Sequence, residues 1–227
     1  MCAARSNLPS DEENIPLYEI DYSRPGLVFI FNNMNFHNPD TKYQVPERRG
    51  AIKDQRRVVD LFEELNFEVE LFIDTAAKEM RQILKDLGKR DYTEVDCVLV
   101  FIMSHGEMGT IYSNDCQKIL LAEFFVPFEK CESLKNKPKL FFIQACRGNE
   151  YVETDNPGDP DNPERRASVP IVADFLYAYA TTDGKLAPRD AEEGTWYIQT
   201  LCDVIEKSKS KDFNDILTKV NDIISKR

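Results

Sequence analysis

Histidine is nearly absent from this chain, which has only His37 and His105. Imidazole chemistry is therefore confined to two positions, and a histidine in a polar loop, as His37 is, is more often structural than catalytic. The six cysteines (Cys2, Cys97, Cys116, Cys131, Cys146, Cys202) include no CxxC pair and no tight regular spacing. That pattern supports neither a zinc site nor a small disulfide scaffold and fits a reducing compartment. There is no Gly-rich phosphate loop and no ligand cluster, so neither a cofactor nor a metal is expected. No apolar run approaches the roughly 18 residues that cross a bilayer, and the first residues lack the apolar core of a signal peptide. A cytoplasmic protein is the expectation. Positive charge is scarce too: 29 Lys and Arg face 40 Asp and Glu, a net charge of -11. This disfavours nucleic acid and anionic membrane as partners, because phosphate binding needs clustered cations. A site for acidic side chains would have to build its positive potential locally.

What is present is a set of short, dense apolar runs in a chain long enough for one substantial core, with ordinary shares of hydrophobic (42%) and charged (30%) residues. Residues 26–31, 67–73, 97–103, 140–144 and 174–179 read as strands, and 97–103 is the most continuous of them. Residues 51–65, with Val58, Phe62 and Leu65 on one face, read as an amphipathic helix. Residues 76–87, 196–205 and 213–224 also carry helical patterns. In 67–73 the alternation places Phe67, Val69, Leu71 and Ile73 together, opposite Glu68, Glu70 and Phe72. The order strand, helix, strand predicts an α/β fold with a mainly parallel sheet of five strands. Residues 149–166, rich in proline and acid, read as a flexible linker. The run Leu140, Phe141, Phe142, Ile143 stops abruptly at Gln144, Cys146, Arg147 and Gly148, as a buried parallel strand does where it ends in a loop. Ser104, His105 and Gly106 follow another such strand. Open α/β sheets bind ligands at that edge.

Gln144-Ala145-Cys146-Arg147-Gly148 is a local signature of caspases, in which the catalytic histidine lies about 50 residues upstream. Four other stretches resemble the same family, in the family's order: Asn-Asn-x-Asn-Phe at 32–36, Ser-His-Gly-Glu at 104–107, Ala-Asp-Phe-Leu-Tyr-Ala-Tyr at 173–179 and Gly-Thr-Trp-Tyr-Ile-Gln at 194–199. The resemblance runs from about Tyr18 to Val220 and is closest in character to the executioner group. It implies the caspase-hemoglobinase fold, with helices flanking the sheet. It also implies a short leader (1–17), a large-subunit-like region (18–148), an inter-subunit linker (149–172) and a small-subunit-like region (173–227).

The resemblance further implies an endopeptidase that cuts after Asp in protein substrates, in apoptosis or a related cascade. Cys146 would be the nucleophile and His105 the proton donor to the leaving amine. The N–H groups of Gly106 and Cys146 would form the oxyanion hole, and the Pro46 carbonyl would orient the imidazole. Arg48 (with Arg49 as the neighbouring alternative), Arg189 and Gln144 would receive the substrate carboxylate. Burying that group is costly unless it gains charge-assisted, bidentate hydrogen bonds. Two departures stand out. Where the family carries bulky pocket walls, including a tryptophan, this chain has Leu186, Ala187 and Pro188. The chain also ends at Arg227, just after a helical pattern, where caspases continue through a further substrate loop and a final strand. The strand at 174–179 is therefore expected near a sheet edge, and pairing as a homodimer or with a caspase heteropartner is expected to need a supplied strand. Maturation is expected by a cut after Asp155. The rival reading is an impaired caspase-like regulator that binds a complete caspase.

Overall fold

The longest apolar runs lie side by side. In the computed structural model, which describes residue 18 and residues 24–37, 45–146, 174–180, 189–190, 192–208 and 212–226, the strands β1 (Gly26–Asn32), β2 (Phe67–Ile73) and β3 (Val98–Met103) join two later strands in one sheet. The sheet order is β2-β1-β3-β7-β8, with β7 Lys139–Gln144 and β8 Phe175–Tyr179, and every pairing is parallel. All residues of β1, β3 and β7 are buried, as central strands covered on both faces must be. Helices α1 (Ala51–Glu64) and α2 (Ala77–Leu87) are the crossovers from β1 to β2 and from β2 to β3.

Side chains alternate between two cores. One side holds Phe29, Phe31, Val100, Ile102 and Phe141 against Met80 and Leu84 of α2 and Phe124 and Phe128 of α3 (Leu121–Glu129). The other holds Val28, Ile30, Leu99, Phe101 and Phe142 against Val58 and Leu61 of α1, Ile198 and Leu201 of α4 (Trp196–Lys207) and Val220 of α5 (Phe213–Ser225). At about 1.5–3 kcal/mol for each fully buried large apolar side chain, these two layers supply the main driving force for folding.

Several expectations shift. Leu65 does not join the buried face of α1: it is 47% exposed, while Leu61 takes the core position. The helix stops there because Asn66 turns the chain into β2 with φ 63. In β2, Leu71 and Ile73 are exposed and Phe72 stacks on Phe31 with ring centroids 4.7 Å apart. As the marginal strand, β2 has Phe67 and Val69 packed on the core beside α1, while that layer leaves the end of the strand to solvent. β7 begins one residue earlier than expected, at Lys139. Its ammonium is buried and donates to the carbonyls of Leu134 (2.8 Å) and Lys137 (2.7 Å), which is what lets a cation start a central strand.

Two elements had no counterpart in the sequence reading. One is the small antiparallel sheet of β4 (Gly106–Glu107), β5 (Thr110–Tyr112) and β6 (Lys118–Leu120). The other is α3, apolar on nearly every side and interrupted by Pro127. Beyond these, β9 (Arg189–Asp190) pairs antiparallel with β10 (Gly194–Thr195). Among the described residues no helix is long and apolar enough to cross a membrane.

Candidate active site

The site forms where β3 and β7 end. The two strands pair in parallel with Met103 opposite Gln144, so the chain reaches His105 two residues past the end of one and Cys146 two residues past the end of the other. Adjacent strands lie about 4.8 Å apart, and equal extensions from a matched pair keep imidazole and thiol at the same level of the sheet. The exits are tied together, since the N–H of Ser104 donates to the Gln144 carbonyl at 3.2 Å.

His105 is then fixed from three sides. Its Nε2 lies 2.9 Å from the Pro46 carbonyl oxygen. A carbonyl can only accept, so this contact assigns the ring proton to Nε2 and leaves Nδ1 as the basic nitrogen. The Phe36 ring packs against the imidazole with centroids 5.0 Å apart. The His105 carbonyl accepts from the N–H of Tyr112 in β5 at 2.9 Å. The small sheet thus serves as a brace, with Ser104 Oγ donating to the Tyr112 carbonyl at 2.6 Å.

At Gly106 only a glycine fits. A Cβ there would sit 2.6 Å from the Thr110 carbonyl oxygen, 3.1 Å from the Ala145 Cβ and 3.3 Å from the Cys146 carbonyl oxygen. The backbone after the histidine therefore presses directly against the backbone beside the cysteine. Cys146 itself is half-buried. Burial pushes the Cys97 thiol up to about 11 and the Cys202 thiol up to about 12, which holds both in the unreactive protonated form.

The Asn-Asn-x-Asn-Phe stretch becomes intelligible as a scaffold. Arg48 is 3% exposed, and its Nη1 donates to Asn32 Oδ1 at 3.0 Å and to the Asn33 carbonyl at 2.9 Å. Asn33 bridges Tyr112 and Thr75, and Asn35 is held by Asp74, whose carboxylate also accepts from the Met34 N–H. This network positions Phe36. Arg49, the alternative to Arg48, is exposed. Gln144 is buried, with its Oε1 unpartnered among the described residues.

Arg189 enters through its backbone, paired with Thr195 across the β9–β10 hairpin. Leu186, Pro188 and Asp155 lie outside the described residues. Sequence reasoning gave Phe36 and the asparagines at 32–35 no role in this site. Their stretch, Asn-Asn-x-Asn-Phe at 32–36, stands out as a motif but carries no assigned contact there. Among the described residues no group of His, Cys, Asp and Glu could hold a metal ion.

A thiol and an imidazole leaving neighbouring parallel strands at the C-terminal edge of an α/β sheet is the layout of a cysteine peptidase. The chain belongs to the caspase family: the family model described as "Caspase domain" matches residues 25–227. It is 37% identical to caspase-3 of Bos taurus over 210 residues, covering 90% of this chain and 74% of the relative. To caspase-7 of Gallus gallus it is 35% identical over 218 residues, covering 92% and 69%. To caspase-3 of Oryctolagus cuniculus it is 36% identical over 209 residues, covering 90% and 74%. The architecture is accordingly the caspase fold, with its central parallel sheet between two layers of helices.

Proposed function

We propose that this chain is an endopeptidase that cleaves after aspartate in protein substrates, serving apoptosis or a related proteolytic cascade. The observation that carries the reading is the matched exit of His105 and Cys146 from β3 and β7, with the imidazole anchored on Pro46. In the proposed reaction the Cys146 thiol gives its proton to His105 Nδ1, and the resulting thiolate attacks the scissile carbonyl, forming a C–S bond and a tetrahedral oxyanion that the N–H groups of Gly106 and Cys146 stabilise. His105 gives the proton on Nδ1 to the departing nitrogen as the C–N bond breaks, keeping Nε2–H on the Pro46 carbonyl throughout. Water then attacks the thioester, losing a proton to Nδ1; the C–S bond breaks to free the new carboxyl terminus, and the sulfur takes the proton back from Nδ1 to restore the thiol.

Arg48, Arg189 and Gln144 take the aspartate side chain in this reading, and Leu186 and Pro188 shape the neighbouring subsites. Arg48 suits the task because it is buried and already oriented by Asn32 and Asn33, so little side-chain entropy remains to be lost on binding. The test is hydrolysis of an Asp-ending reporter peptide and its Asn counterpart by this chain and by Cys146→Ala. Turnover by the wild type, none by Cys146→Ala, and a loss of more than about tenfold on the Asn peptide are expected, because guanidinium groups would face a neutral amide. Equal cleavage of both peptides would overturn the aspartate pocket. Binding of the peptide without turnover by the wild type would favour the regulator.

A further inference from the structure

Asp54 is 0% exposed, an uncommon state for a carboxylate, and nothing in the proposed chemistry uses it. It sits in the first turn of α1, and its Oδ1 accepts from two groups of the small-subunit-like region: the Thr195 N–H at 2.9 Å and Gln199 Nε2 at 2.8 Å. Thr195 lies 141 positions away in the chain, so these bonds join the two pieces that a cut in the linker would separate. Thr195 is also the residue that pairs with Arg189 in the hairpin, and its Oγ1 caps α4 by accepting from the Ile198 N–H at 3.4 Å.

The contact is built into the backbone. Gly194 has φ +97, and a Cβ there would lie 2.4 Å from Asp54 Oδ1 and 2.8 Å from Gln199 Nε2, so only glycine lets the hairpin close onto the carboxylate. Asp54 also feels the charge of Arg48. Asn32, which receives Arg48 Nη1, donates to Gln55 Oε1 at 3.1 Å, next to Asp54 on α1. The Asp54 Oδ2 has no hydrogen-bond partner among the described residues.

We propose that Asp54 is the positioning residue of the aspartate pocket: its buried carboxylate fixes the backbone of the hairpin that bears Arg189 against the first turn of α1, just after Arg48, as a pocket shared by these two arginines requires. The proposal rests on the aspartate-pocket reading above. It makes Asp54 a determinant of specificity that touches no substrate. A bidentate site for a carboxylate is sensitive to displacement, since misplacement by about 1 Å can cost about 100-fold.

The test compares wild type, Asp54→Ala, Asp54→Asn, Gly194→Ala and Gln199→Ala. The readout is the rate at which peptide chloromethyl ketones ending in Asp or in Asn alkylate Cys146, located by mass spectrometry, with KM and kcat on the matching reporter peptides and thermal unfolding of each protein. Asp54→Ala and Gly194→Ala are expected to lower the Asp-to-Asn preference by about tenfold or more and to act on KM more than on kcat. Asp54→Asn, whose Oδ1 can still accept from Thr195 and Gln199, should keep most of the preference. A folded Asp54→Ala protein with the wild-type preference would overturn the proposal and leave the pocket standing. A wild type with no Asp preference would overturn the pocket and the proposal together. Should Asp54→Ala fail to fold, Gly194→Ala and Gln199→Ala, which retain the carboxylate, decide the matter by the same ratio.

Discussion

Single side chains here do work that their charge alone would not reveal, and Asp54 also has a consequence for stability. Burial pushes its carboxyl above the usual carboxylate range, and the bonds from Gln199 and Thr195 and the charge of Arg48 only partly offset this. A raised pKa in the folded state means that, between the ordinary value of 3.8 and the raised one, the folded protein holds a proton that the unfolded chain has lost. Stability from this group therefore grows as pH falls through that window, is complete below it, and is lost as pH rises above the folded pKa. Asp54→Asn has no such titration. The unfolding free energy of the wild type relative to Asp54→Asn should rise as pH is lowered from neutrality in urea titrations. A difference independent of pH would mean that Asp54 titrates like an exposed carboxylate.

Elements, rather than residues, bring His105 and Cys146 together, because two strands in matched register end at one level. The same logic bears on the cut expected in the linker. The linker expected at 149–172 joins the β7 exit to β8, while the Asp54 bonds to Thr195 and Gln199 tie the two pieces without it. Cleavage of the linker is therefore expected to leave the pieces associated. Within that stretch Val152-Glu153-Thr154-Asp155 has the form of a caspase recognition site. Asp159 is followed by Pro160, whose nitrogen makes a constrained tertiary amide, and Asp161 is preceded by the same proline. The principal cut is expected between Asp155 and Asn156, as read by intact-mass analysis after incubation with an active caspase. A main cut after Asp161 would refute it.

At the scale of the whole molecule, the two margins of the sheet differ in chemistry. The margin at β2 carries Glu68 and Glu70, with Arg90 paired to Glu70, the kind of charge that discourages edge pairing. Among the described residues β8 is the last strand of the sheet, and Phe175, Leu176, Tyr177 and Tyr179 along it are only half-buried. An apolar strand edge is a template for another chain, so association of residues 1–227 that grows with concentration is expected in light scattering. Activity on the reporter peptide should follow that association, if pairing supports the loops beside Cys146. A monodisperse, fully active monomer would sink this expectation.

The apolar runs and the ordered motifs were legible because each is local. A buried strand needs only five or six consecutive apolar residues, and a thiol at its end is visible from the run that stops before it. The exits of His105 and Cys146 could be read in the same way, since both follow such runs. α3 gave no helical period because nearly all its faces are apolar, and β4, β5 and β6 are too short to show any period at all. Arg48 and Arg49 differ in burial only in three dimensions, where one packs against Asn32 and the other is exposed. Asp54 was invisible for the same reason. It reads as one more charge on an acidic helix until sheet order and the packing of α4 on α1 bring Thr195 and Gln199 to its oxygen. A sequence records which groups exist and what their neighbours along the chain favour. Which desolvated charge meets which donor is fixed only when distant elements pack and remove the water between them.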